Sequence, residues 1–217
     1  MTVKRLFRNS VTAMSLNKLV IGLIFSFIAV VITGTLSHEL GHFTVAKYLG
    51  YNARMNYGAT FWDSSVPGIL PPSHIIAVTL GGPVQTMLTG TLGVMLLFIF
   101  RRSFFRSDNL SSGQWIIIFI SLFWLRQTVN FCIWIGGYII NGSFYSDSDE
   151  VNIARYFKVP DWTIITVTAA IGVIILAVVT FRFVPNGQRL IFLLSGLIGG
   201  ISGYLFWLVY FGRYIMP

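Results

Sequence analysis

The 217 residues are 55% hydrophobic and only 10% charged, whereas a soluble domain carries about a quarter charged residues. The apolar residues come in blocks near the ~20 needed to cross a bilayer, which excludes an ordinary soluble domain and predicts an all-α polytopic membrane protein with about five transmembrane helices. The formal charge of +8 flanks those blocks, where it orients the chain and meets anionic lipid; no basic stripe is interleaved with aromatics on a polar face, so nucleic-acid binding is rejected.

Lys4, Arg5, Arg8 and Lys18 precede the first apolar block. That block runs on without a small-residue cleavage site, as a retained span rather than a removed signal peptide. The first helix is expected from near Ser15 or Leu16 to Tyr48 or Leu49, with Gly50 as its stop. Thr33, Gly34, Ser37 and Gly41 let neighbouring helices come close. Here the chain reads His38-Glu39-Leu40-Gly41-His42. Residues four apart lie on one helix face, so His38 and His42 can put two imidazole nitrogens on one zinc ion. Glu39 is placed to take a proton from a water that such an ion activates. The chain has three histidines and seven acidic residues in all, and three of these stand in this pentapeptide at the end of an apolar run. Such groups are costly there, which makes function the default reading.

Residues 51–74 form a connection with partial alternation from Arg54 to Trp62, interrupted by Pro67, Pro71 and Pro72. It is either a short β-hairpin or edge strand against the helices, or an irregular surface loop. A second span runs from about Ile75 to Phe100 and ends at Arg101-Arg102. Gly81-Gly82-Pro83, Gln85, Thr86, Thr89, Gly90 and Gly93 give it a close-packing face, with Pro83 kinking its start. The third span, about Gln114 to Ile140, carries Arg126, Gln127 and Asn130, which must face protein or a water-filled cavity; they either bind helices together or line a path. Cys132 is the single cysteine, so neither an internal disulfide nor a thiolate zinc site can form. A polar loop, Asn141 to Asp161, holds Asp147, Asp149 and Glu150. Asp161, behind Pro160, is expected to cap the fourth span, Trp162 to Phe181. The fifth, Leu190 to about Phe211, has overlapping Gly-x-x-x-Gly pairs in Gly196, Gly199, Gly200 and Gly203. No internal repeat or soluble appendage is visible, so residues 1–217 read as a single membrane-embedded domain.

The N-terminus, the 101–113 loop and the 182–189 loop share one side and carry most of the Lys and Arg, which predicts a cytoplasmic N-terminus. The loops 51–74 and 140–161 share the other side, where the His38 helix ends. A catalytic zinc takes three protein ligands and keeps one open position. Asp108 is on the wrong side to be the third, which leaves Asp63, His74, Asp147, Asp149 and Glu150. The acidic cluster is the more telling, because its carboxylates repel one another unless something positive is close or solvent relieves them. Within it Asp149 is preferred and Asp147 comes second.

His38-Glu39-Leu40-Gly41-His42 at the end of an apolar span resembles the site-2 protease family of membrane-embedded zinc metallopeptidases. Gly81-Gly82-Pro83-Val84-Gln85 resembles that family's Gly-Pro stretch, and the 51–74 loop is similar in position to its membrane-associated strands. The likeness covers roughly the first half of the chain. The family's third ligand is usually an Asp in an Asp-Gly motif preceded by Asn and prolines. Here Asn130 is present without an Asp-Gly, and Ser148-Asp149-Glu150 stands nearby; some divergent members look similar to Asp149-Glu150 followed by Ile153-Ala154-Arg155-Tyr156-Phe157 and Pro160.

The resemblance implies a small divergent intramembrane metalloprotease, with zinc on His38, His42 and Asp149, and Glu39 as general base. Its substrate would be a transmembrane protein or peptide, unwound before cleavage and held by strand addition on 51–74. Asn130 or Arg126 would orient substrate or stabilise the oxyanion. Two other classes compete. A transporter or metal-handling protein accounts for Arg126, Gln127 and Asn130 but leaves Glu39 without a role. A catalytically silent scaffold of the same fold has no use for an intact Glu39.

Overall fold

The computed structural model describes residues 16–63, 70–106 and 109–217; Lys4, Arg5, Arg8, Pro67 and Asp108 lie outside the described residues. The chain runs α1 (Leu16–Tyr48), β1 (Asn52–Met55), β2 (Thr60–Asp63), α2 (Pro72–Ile99), α3 (Arg101–Phe105), α4 (Ser112–Ser121), α5 (Leu125–Asn141), α6 (Asp149–Tyr156), α7 (Trp162–Val178), α8 (Arg189–Tyr204) and α9 (Gly212–Ile215). Five stretches of described helix are long and apolar enough to cross a membrane: Leu16–Tyr48, Pro72–Ile99, Ser112–Asn141, Trp162–Phe183 and Asn186–Ile215. This is a multi-pass integral membrane protein, all-α apart from one short hairpin.

Within α1 the work is divided along its length. Its N-terminal half puts Leu19, Leu23 and Phe27 into the largest apolar cluster, with Leu97, Ile118, Phe119, Val179 and Phe192. Phe27 meets Phe119 edge-on at 5.1 Å and Phe192 at 5.4 Å. Its C-terminal half carries the His-Glu-x-x-His turn. The two flanking helices approach α1 through glycine. A Cβ on Gly199 would lie 2.6 Å from the Ile24 carbonyl, and Gly196 and Gly203 face Phe27 and Val31; Gly200 points away from all of these. On the other flank a Cβ on Gly81 would lie 2.6 Å from the Gly41 carbonyl. Between helices in lipid, where apolar burial gives no driving force, such backbone contact is what dispersion can use.

Several boundaries depart from the sequence expectation. Pro72 opens α2 three residues early rather than breaking it, because a proline costs nothing at the first helical position. The third span is two helices, α4 and α5, joined by a tighter turn at Leu122–Trp124, where Gly90 and Gly93 of α2 press on Trp124 and Ser121. Asp161 does not cap α7: its side chain is taken by Arg155, at 2.7 Å. The 51–74 connection does hold a hairpin, with Asn52 opposite Asp63 and Met55 opposite Thr60. The largest correction is that the polar loop is not wholly loop. Gly142 ends α5 in the left-handed conformation (φ 71°), and Phe144 folds back to stack on Trp134 at 4.1 Å and Tyr138 at 4.5 Å. The returning chain then forms α6, capped by Ser148 and pinned through Val151 to Trp134 and Ile165.

Candidate metal centre

α1 delivers His38 and His42 one turn apart, and both are buried. The N-terminus of α6 delivers Asp149 to the same point. Nε2 of His38 is 2.9 Å from Asp149 Oδ2, Nε2 of His42 is 3.3 Å from the same oxygen, and the two nitrogens are 3.1 Å apart.

The opposite nitrogens decide what those three atoms can be. Nδ1 of His42 lies 2.7 Å from the Val78 carbonyl, which can only accept, and 3.3 Å from the Gly82 N–H; the much shorter contact puts the proton on Nδ1. Nδ1 of His38 lies 3.0 Å from the Thr86 hydroxyl, and that hydroxyl already donates to the Gly82 carbonyl at 2.8 Å. Thr86 therefore accepts, and His38 too is protonated at Nδ1. Both Nε2 atoms then present lone pairs to each other and to a carboxylate oxygen, an arrangement that is repulsive unless a cation stands among them. Ligands of a tetrahedral zinc, with bonds of roughly 2.0–2.1 Å, lie about 3.3 Å apart. The donor set therefore fits zinc in spacing and in chemistry, and the Nδ1 contacts orient both rings as ligating histidines are usually oriented.

Asp149 suits the third place electrostatically. Burial alone would raise its carboxyl; a proton on either Nε2 outweighs that and holds it below the usual carboxylate range, and a cation standing at the same point would do so in the proton's place. It also sits in the first turn of α6, where a helix N-terminus favours an anion. The other candidates are occupied elsewhere or stand further off. Glu150 is buried and accepts from the Asn130 amide at 3.0 Å; burial first, and the Asp149 charge second, push its carboxyl up. His74 pairs with the Tyr51 hydroxyl at 2.6 Å. Asp63 ends β2 opposite Asn52. Asp147 lines the cavity wall next to Asp149.

Glu39 is buried, and one of its carboxylate oxygens lies within 4.8 Å of the ligating atoms of His38 and His42. The Thr60 hydroxyl of β2 spans the Glu39 carbonyl, at 2.9 Å, and its carboxylate, at 3.1 Å. Arg126 stands behind it, Nη2 3.8 Å from Glu39 Oε1 and Nη1 3.4 Å from Thr35 Oγ1.

The six residues given roles in the sequence, His38, Glu39, His42, Arg126, Asn130 and Asp149, line one cavity of about 470 Å³ between the hairpin and the 145–149 segment, together with Asp147 but without Asp63, His74 or Glu150. Gln127 is instead fully buried and does not line it. Sequence reasoning gave Thr86 a packing role only, and missed Thr60 and the Val78 carbonyl. Thr86 stands four residues after Gly82 on one helix face, a spacing that could have drawn attention; a backbone carbonyl leaves no mark in a sequence. No protein-family model, curated protein or solved structure matches this chain.

Proposed function

We propose that this protein is an intramembrane zinc metalloprotease, a divergent relative of the site-2 proteases, that hydrolyses peptide bonds of membrane-protein substrates within or at the edge of the bilayer. The observation that carries this reading is the convergence of two imidazole lone pairs and one carboxylate oxygen, 2.9–3.3 Å apart, beside a buried glutamate. Bound there by His38, His42 and Asp149, zinc would supply Lewis-acid polarisation of a carbonyl and activation of water.

The chain's own residues do the rest. Glu39 accepts the proton of the attacking water and returns it to the leaving amine. Arg126 is the cation nearest Glu39 in the cavity and can meet charge developing on the carbonyl oxygen. Asn130 has one amide hydrogen committed to Glu150, so it is better suited to holding a substrate backbone. Thr60 and Trp62 turn one face of β2 to the cavity, and among the described residues β2 keeps one unpaired edge of the two-stranded sheet, where an unwound substrate segment can add as a further strand. Arg101, Arg102, Arg106, Arg182 and Arg189 lie between spans on the side away from the site and Lys47, Arg54, Arg155, Lys158 and Arg213 on the site's side, so the cytoplasmic N-terminus rests on Lys4, Arg5, Arg8 and Lys18 in the sequence.

A carrier or metal-handling protein would use the same polar lining but has no need of a base beside the ligands. Wild type and Glu39→Gln separate the readings. Equal zinc content, with cleavage of single-span reporter proteins only by wild type, is the protease outcome. Metal transport into proteoliposomes that survives in Glu39→Gln would replace it with the carrier. Partner binding without turnover in either protein would replace it with a scaffold.

A further inference from the structure

Among the described residues, no side chain of the fifth span lines the cavity, yet the span's far end grips the hairpin that does. The indole N–H of Trp207 donates to the Tyr57 carbonyl at 2.7 Å, and the Tyr57 N–H donates to the Met216 carbonyl at 3.0 Å. Both backbone groups of one hairpin-tip residue are thus held by the C-terminal segment. Trp207 opens toward the tip because the helix widens from Leu205 to Phe211, and the Gly212 N–H closes that wide turn on the Trp207 carbonyl. Gly212 is the residue that allows it, since a Cβ there would strike that carbonyl and the Tyr57 ring at 2.3 and 2.6 Å. Such widened turns recur at functional sites.

From Tyr57 the constraint runs on without a slack joint. Asn56 Oδ1 accepts from Gly58 N at 3.1 Å and Ala59 N at 2.9 Å, and Asn56 N donates to the Ala59 carbonyl at 3.0 Å. The next residue is Thr60, on the Glu39 carboxylate. We infer that Trp207 is a positioning residue for Glu39: the last span clamps the hairpin tip, and through Thr60 the clamp sets where the glutamate carboxylate stands, with the histidines and Asp149 held independently by α1, α2 and α6. This rests on the metalloprotease reading for its catalytic consequence but not for the linkage itself.

The test uses the whole 217-residue chain in detergent, with Trp207→Phe, which keeps a ring and removes the donor, Thr60→Val, and the double variant. Three readouts are taken: zinc content, amide exchange across residues 56–61, and the Glu39 carboxyl infrared band, isolated by subtracting the Glu39→Gln spectrum. Trp207→Phe is expected to speed exchange at the tip about fivefold, the worth of one hydrogen bond, and to shift the Glu39 band with zinc unchanged. Reporter cleavage falls roughly 10- to 100-fold in kcat, as a displaced catalytic group costs, and the double variant is no worse than Thr60→Val. An unmoved Glu39 band in Trp207→Phe, additive losses, or loss of zinc together with activity would each overturn the linkage. Should wild type cleave no reporter, the protease reading fails, and the infrared band still decides the linkage.

Discussion

A Cβ added to Gly82 would stand 2.3 Å from Nε2 of His42, and 2.6 Å from Nε2 of His38. The glycine is therefore the floor on which both imidazoles rest, and α2 has nothing larger to offer at that turn. Alanine is a better helix former than glycine by about 1 kcal/mol, so Gly82→Ala should leave the helix intact while pushing the rings apart. Zinc affinity, measured by competition with a chelator, is expected to fall at least about 100-fold, because a ligand displaced by a bond's breadth no longer coordinates. Gly81→Ala should behave differently. Its Cβ meets the Gly41 carbonyl and the His42 Cα rather than the rings, so the main loss appears as about 1–3 kcal/mol of stability in detergent unfolding. Unchanged zinc affinity in Gly82→Ala would remove α2 from the site.

Thr86 holds His38 from behind, accepting from Nδ1 while donating to the Gly82 carbonyl. Thr86→Val keeps the shape and removes both bonds. Outer-shell partners of this kind are worth about 10- to 100-fold in metal affinity, and that loss is the expected result. Thr86→Ser, which can restore the hydroxyl, should recover most of it.

Asp149 and Asp147 are two residues apart, and only the first meets the histidines. Asp149→Asn is expected to strip zinc from the purified protein, whereas Asp147→Asn keeps it, read by elemental analysis after gel filtration. The reverse pattern would move the third ligand to Asp147 and require α6 to begin in another register.

Acid should release the metal through the histidines rather than through the carboxylate. A ligating imidazole must be neutral, and a free one protonates near pH 6.5, so binding zinc expels protons. Asp149 is held well below the usual carboxylate range and stays ionised as the histidines titrate. Zinc affinity is then expected to be flat at neutral pH and to fall by about tenfold per unit below pH 6, as the first imidazole takes up a competing proton. An affinity that stays flat down to pH 4, titrated with a fluorescent zinc indicator, would remove the imidazoles from the ligand set.

Arg126 is within ion-pair range of Glu39 and opens on the cavity. Arg126→Gln is expected to retain zinc and lose roughly 100- to 1,000-fold in kcat with little change in KM, the cost of removing one donor from a developing oxyanion. An effect confined to KM would make Arg126 a substrate anchor.

The amino-acid sequence by itself determined the class, the spans and half of the candidate centre. Twenty-residue apolar blocks have few alternatives to membrane helices, and the i, i+4 spacing of His38 and His42 is a local property that the helix period converts directly into geometry. Arg126 and Asn130 were legible as inward-facing because lipid would not hold them. Tertiary structure alone decided which acid joins the histidines, because Asp149 lies 111 residues beyond His38 and arrives only when Gly142, Phe144 and the unforeseen helix α6 fold the chain back over α5. The same holds for Thr60, Thr86 and the Val78 carbonyl, and for the hold of Trp207 on Tyr57. These are contacts between elements far apart in the chain, several through backbone groups that every residue carries. No periodicity or composition records which of them will meet.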